Sequence, residues 1–273
     1  MGTSTSISGA GAGSPLIPSW VEETEEEHPN TSDPVKPANS VSGPINQKGR
    51  LSSTRRELGA FASSGDISKL RRSVGKYIRD GRHGVASATK RSIGTARRAG
   101  TLSGIAGGSP SFAEIRERIR QSISKDADAF ELIAAIASAA SPLDGTLDSE
   151  RSQQAASEAM QFLLDCFPDA DLLNLTVNQR ETLLERFLAL DCFALFYAEN
   201  GKHLLMKCDL QTGATRIREI KDYFCETFRQ ANLQRKEKGK PSLGSLSDKQ
   251  ISSHCQEIIA EAYSIFEAYL DES

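Results

Sequence analysis

SDKQISSHCQEIIAEAYSIFEAYL, residues 247–270, decides the fold class. Ile251, Cys255, Ile258, Ile259, Ala262, Ile265, Phe266 and Tyr269 recur at three- and four-residue spacing, which places them on one face of an α-helix. The same period runs upstream. Thr176 begins a long helix with Leu183, Leu184, Phe187, Leu190, Phe193 and Ala194 facing inward, and residues 215–236 give another. Asp148 opens a helix with Ala155, Ala159, Phe162, Leu163 and Cys166 on one side, closed by Phe167-Pro168. Asp126 or Asp128 opens an alanine-rich helix ending before Pro142, and Ser111 with Glu114 reads as a capping box for a helix through Ile115 and Ile119. Residues 202–210 fit either a short strand or a continued helix. Fourteen of the 17 aromatic residues follow position 108, so the only sizeable hydrophobic core is expected there. The expected fold class is all-α, with a helical domain over 109–273.

Residues 50–108 differ in character. Positions 50–100 carry 13 Lys+Arg against 3 Asp+Glu, with ten arginines to three lysines, and glycines interleave with them. Asp66 can cap a helix with Ile67, Leu70, Val74, Tyr77 and Ile78 on one face and Arg71, Arg72, Lys76, Arg79 and Arg82 on the others. A second helix over 85–98 carries Lys90, Arg91, Arg97 and Arg98. Gly75 and Gly94 each cost about 1 kcal/mol relative to Ala. The segment is therefore expected to be marginally helical, folding against a partner or the next domain, or staying partly disordered.

Residues 1–49 hold six of the ten prolines and an acidic run at 22–27, a composition that cannot offset the entropy of ordering. A disordered leader is expected. Within it, Pro15-Leu16-Ile17-Pro18-Ser19-Trp20-Val21 forms an apolar island with the only tryptophan, suited either to docking on a partner or to folding back. The formal net charge of −3 is thus a cancellation: −4 in the leader, +10 in the basic segment and −9 beyond it.

Catalytic signatures are lacking. No G-x-x-x-x-G-K-[ST], G-x-S-x-G or H-E-x-x-H motif occurs, and Gly9–Gly13 follows no strand and precedes no helix. His28, His83, His203 and His254 have no ligand-spaced partners, so no catalytic residue, cofactor site or metal site is assigned. Cys166, Cys192, Cys208, Cys225 and Cys255 have irregular spacing and read as reduced core thiols. The start lacks a basic n-region and an apolar h-region, and no run of 18 apolar residues exists, so a cytoplasmic protein without membrane contact is expected.

Two features invite partners. The arginine-rich segment suits phosphates, in nucleic acid or another phosphate-rich ligand, or equally an acidic protein surface; thin aromatic interleaving argues against base stacking. Glycine in second place leaves a free Gly2 amine, after Met1 removal, on an open Thr/Ser/Gly/Ala leader that can enter another enzyme's active site. Ser6 completes M-G-x-x-x-[ST], an N-myristoylation pattern in a eukaryote, with no second membrane signal beside it.

The leader Met1-Gly2-Thr3-Ser4 and the Pro15–Val21 island resemble the start of QatB proteins of bacterial Qat anti-phage operons. Residues 71–81 (RRSVGKYIRDG) and 86–100 (ASATKRSIGTARRAG) are similar to that family's middle segment. The resemblance implies a non-enzymatic defence protein working beside an ATPase, a QueC-like enzyme and a TatD-like nuclease. It further implies that Gly2 accepts a deazaguanine, activated by the QueC-like enzyme as an adenylated carboxylate. Thr3, Ser4, Pro15, Leu16, Ile17, Pro18 and Trp20 would then dock on the modifying enzyme or another partner. An α-amine, with a reference pKa of about 7.7–8.0, is partly neutral at cytosolic pH, unlike a lysine. The alternative is a nucleic-acid-binding protein gripping phosphates through residues 50–100.

Overall fold

The computed structural model describes residues 49–123 and 128–271, and every regular element among them is helical. They belong to one compact unit, residues 47–273. The elements are α1 (Ser52–Ser64), α2 (Ile67–Lys76), α3 (Val85–Arg91), α4 (Ile93–Ala106), α5 (Ala113–Ser122), α6 (Ala129–Ala140), α7 (Leu147–Cys166), α8 (Val177–Leu205), α9 (Leu210–Glu237) and α10 (Asp248–Ala268).

Local chemistry sets the boundaries. Asp66 caps α2 by accepting from the Ser68 amide at 2.8 Å. Replacing Asp66 with Ala should cost about 1 kcal/mol, measurable as a shift in the urea midpoint. Thr176 and Gln179 form a reciprocal capping box on α8, and Asp128 caps α6. Asp209 caps α9, which begins at Leu210, five residues before the expected start; α8 runs to Leu205, so residues 202–210 are helix, turn and the beginning of the next helix. Thr146, not Asp148, caps α7. The capping box expected at Ser111 and Glu114 does not form. Pro110–Phe112 make a 3-10 turn, α5 starts at Ala113, and no side chain caps it.

The helix expected over 85–98 is two helices. They break at Ser92, whose hydroxyl bonds back to the Ala88 carbonyl (3.1 Å) and pairs with the Tyr263 hydroxyl (2.8 Å). A five-residue π turn, Tyr77–Gly81, follows α2. Helix α1 has no counterpart in the sequence reading. It pairs with α2 across Gly65, whose φ of 73° supplies the left-handed residue that ends a helix.

Helix α8 lies at the centre, contacting α1, α4, α7 and α9, and α10 packs on α2, α3, α4 and α9. The core begins well before residue 109, contrary to the expectation from aromatic content. Leu58, Phe61, Leu70, Val74, Leu102 and Ile105 are fully buried beside Phe187, Phe196, Phe224, Phe228 and Phe266. Aromatic edges join the two parts: Tyr77 meets Phe196 at 5.0 Å, Phe196 meets Phe224 at 5.7 Å, and Phe224 meets Phe266 at 4.8 Å. The basic segment is thus helical and folds against the later helices.

Candidate partner-binding and modification sites

The expected modification site Gly2 and the expected docking residues Thr3, Ser4, Pro15, Leu16, Ile17, Pro18 and Trp20 lie outside the described residues. The cations of the basic segment lie within them, and the structure divides them by environment.

Most face protein. Arg82 donates to the Tyr77 hydroxyl from Nε (2.8 Å) and Nη2 (2.5 Å), lies over the Tyr77 ring, and pairs with Glu199 at 3.3 Å. Arg50 reaches the same carboxylate at 3.4 Å, and Arg55 donates to the Glu199 carbonyl at 3.1 Å. Burial pushes the Tyr77 phenol above its usual range, so it stays a neutral acceptor for the Arg82 guanidinium. Glu199 therefore gathers three arginines onto the end of α8. Arg71 lies 4.8 Å over the Tyr269 ring and Arg79 pairs with Asp271 at 3.2 Å, both against the end of α10. Arg98 donates to Ser152 on α7 at 3.2 Å. Arg72 is half-buried.

Lys76 meets the buried Glu57 at 2.7 Å. Burial raises the Glu57 carboxyl, and the Lys76 hydrogen bond and charge, together with the Arg56 hydrogen bond and the Lys69 charge, more than offset this, holding it below its usual range. Stability from this pair is present above the ordinary carboxylate range and is lost as pH falls through the lowered pKa. A Lys76→Ala variant should melt below the wild type at pH 7, with the gap closing below about pH 4. An unchanged gap at acid pH would contradict the pairing.

Lys90, Arg91 and Arg97 remain exposed, with no carboxylate partner among the described residues. The candidate cations are thus spread over faces meeting α1, α7, α8 and α10 and over open solvent on α3 and α4.

The sequence reading missed the buried cluster around Asp191. Thr95 on α4 and Ser152 on α7 donate to its two carboxylate oxygens at 2.5 and 2.7 Å, and Arg151 stands 3.6 Å away. Beside it, Tyr263 donates to the Cys192 thiol at 3.4 Å. Burial pushes the thiols of Cys192 and Cys255 up to about 12 and that of Cys225 up to about 11, away from nucleophilic chemistry at neutral pH. Cys166 departs from the core-thiol expectation: it is exposed at the end of α7, past the last buried turn. Among the described residues, no His/Cys/Asp/Glu group is placed to hold a metal, and no helix is long and apolar enough to cross a membrane.

Residues 84–266 match the family described as QatB, Qat anti-phage system associated protein. The chain belongs to the QatB family. The match covers two thirds of the sequence, α3 through most of α10, and so includes the solvent-facing part of the basic segment and the Asp191 cluster. Neither a curated protein nor a solved structure gives a significant match. As a QatB-family member the chain is a component of an anti-phage system, and the other proteins of that system are its natural partners.

Proposed function

We propose that this QatB-family chain is a non-enzymatic adaptor whose leader is modified and whose helical body binds partners. Family membership carries this reading, together with the leader sequence that the family resemblance rests on. The modification is conjugation of Gly2 to a deazaguanine by a QueC-like enzyme. The neutral Gly2 amine attacks the acyl carbon of the adenylated carboxylate, a C–N amide bond forms, the acyl–phosphate bond breaks with release of AMP, and the amine proton goes to solvent. Thr3, Ser4 and the small residues to Gly13 are narrow enough to enter the enzyme, and the Pro15–Trp20 island docks outside it. The ATPase and TatD-like nuclease of the operon are the remaining partners, and the cytoplasm is the compartment. Deleting residues 2–13, or replacing Gly2 with Pro, should abolish phage protection by the complete system without changing the melting temperature. Full protection by either variant would overturn the reading.

The alternative is nucleic-acid binding, which the exposure of Lys90, Arg91 and Arg97 favours. Replacing these three with Ala leaves the ion pairs intact, whereas changing Arg71 or Arg98 removes packing contacts. If phosphate contact is their role, the triple variant loses DNA or RNA affinity at low salt and its log–log salt slope falls by roughly 3. No binding by the wild type at low salt would eliminate this alternative.

A further inference from the structure

An apolar surface stands uncovered where α7, α8 and α9 meet. Leu147, Phe193, Ala194, Tyr197, Ala198 and Ile217 line a cavity of about 390 Å³ there. That volume lies within the roughly 300–1,000 Å³ of pockets that enclose small ligands. Phe193 and Tyr197 stack with centroids 5.8 Å apart, and Leu147 on the rim is 80 % exposed. The Lys221–Glu158 pair joins the walls at the end away from Leu147, so the cavity extends from there toward the α8–α9 turn. Helical spacing carries the apolar surface further that way. Leu205 lies seven residues beyond Ala198 on α8, and Leu210 seven before Ile217 on α9; they are 39 % and 87 % exposed.

The charge bordering this surface is mainly positive. Lys202, one turn past Ala198, Lys207, just past the end of α8, and Arg218, next to Ile217, are exposed and form no ion pair among the described residues. Neighbouring carboxylates are already engaged: Glu158 by Lys221 at 2.8 Å, Asp148 by Arg151 at 2.7 Å and Glu219 by Arg216 at 2.8 Å. Asp209 accepts from the Thr212 amide and hydroxyl at 2.9 and 2.8 Å. Asp222, one turn past Arg218, lines a neighbouring cavity and pairs with none of the three cations.

The leader sequence carries the matching chemistry. Pro15-Leu16-Ile17-Pro18-Ser19-Trp20-Val21 is apolar, and Glu22, Glu23, Glu25, Glu26 and Glu27 follow at once. Pro15 and Pro18 have no N–H, so the segment brings fewer backbone donors to a surface made of side chains. Pro-rich segments characteristically dock in aromatic-lined grooves. The attachment point is close. Arg50 pairs with Glu199, the residue after Ala198, at 3.4 Å. From Glu199 to Leu205 is about 9 Å of helix, whereas the 28 residues from 22 to 49 can span up to about 90–100 Å. Linkage in one chain also raises the effective concentration, which favours this segment over the same segment of a second copy.

We propose that the Pro15–Val21 island of the chain's own leader docks on this surface, with Trp20 in the cavity and the Glu22–Glu27 carboxylates against Lys202, Lys207 and Arg218. An enzyme or partner that takes the island must then first displace it. This goes beyond the adaptor reading and is independent of modification at Gly2, so the test uses the full chain expressed without the other Qat proteins. Trp20 is the only tryptophan, and its fluorescence reports the island directly. The expected emission is blue-shifted from that of a synthetic peptide of residues 12–28 and shielded from acrylamide, independently of protein concentration. Leu147→Asp combined with Leu210→Asp, both at exposed positions, should return the emission to that of the peptide with the helical circular dichroism unchanged. Lys202→Glu combined with Arg218→Glu should do so in part, and raised salt should act in the same direction. Phe130→Asp, at a 65 % exposed position outside the surface, should leave the shift intact. Peptide-like emission in the wild type, a shift that grows with protein concentration, or one that survives both pairs of substitutions would overturn the proposal. Each of these results leaves the adaptor reading standing.

Discussion

Replacing Asp191 with Ala should destabilise the protein by about 3–5 kcal/mol, the cost of removing one member of a buried, paired charge cluster. Asp191 is fully buried on α8, and its carboxylate is where α4, α7 and α8 are tied together. Truncation leaves the Thr95 and Ser152 hydroxyls without their acceptor and Arg151, 12 % exposed, with only Asp148 on the solvent side. Each stranded group adds its own desolvation cost. For a body of this size the melting temperature should fall by roughly 6–20 °C. Asp191→Asn keeps the shape and one acceptor oxygen and should lose less. A melting temperature unchanged in Asp191→Ala would show that the three helices are not joined through this residue.

The second large effect has a sign that distinguishes two readings of the same residue. Gly75 is buried in α2 where that helix meets the end of α10. A Cβ there would stand 2.7 Å from the Phe266 carbonyl oxygen and 2.8 Å from Leu270 Cγ. The carbonyl belongs to a packed helix and has little room to withdraw, so Gly75→Ala should cost about 1–3 kcal/mol as overpacking. Were Gly75 simply a weak position in an exposed helix, the same substitution would stabilise by about 1 kcal/mol through helix propensity. Chemical denaturation reads the sign directly.

That sign also explains which parts of the fold were legible in the sequence. Helices such as α8 and α10 declare themselves because large apolar residues repeat at helical spacing over many turns. Helix α1 does not. Its buried face includes Thr54, Gly59 and Ala62 beside Leu58 and Phe61, so the apolar period is diluted by small residues. In α4 the glycines look like helix breakers, yet Gly100 faces Ser252 and Ile251 on α10 and Gly104 faces the Phe112 ring. A glycine whose missing side chain admits a neighbouring helix is indistinguishable, along the chain alone, from a glycine in a linker. The aromatic count placed the core too late for the same reason.

The fate of the arginines was legible only in part. Their number and spacing gave a basic segment, but not that Glu199 on a distant helix collects Arg50, Arg55 and Arg82. The available signal was the acid itself. Asp191 and Glu199 interrupt the apolar run of α8, and an acid within such a run needs partners from elsewhere in the chain.

The proposed function turns on modification of the leader at Gly2. Its most direct test is the intact mass of the full chain purified after co-expression with its complete Qat system, with fragmentation to locate any adduct. The expected result is a chain lacking Met1 and heavier by one deazaguanine acyl group on the Gly2 amine, the adduct disappearing when the QueC-like enzyme is inactivated. A chain carrying no adduct at Gly2, in cells fully protected from phage, would contradict it.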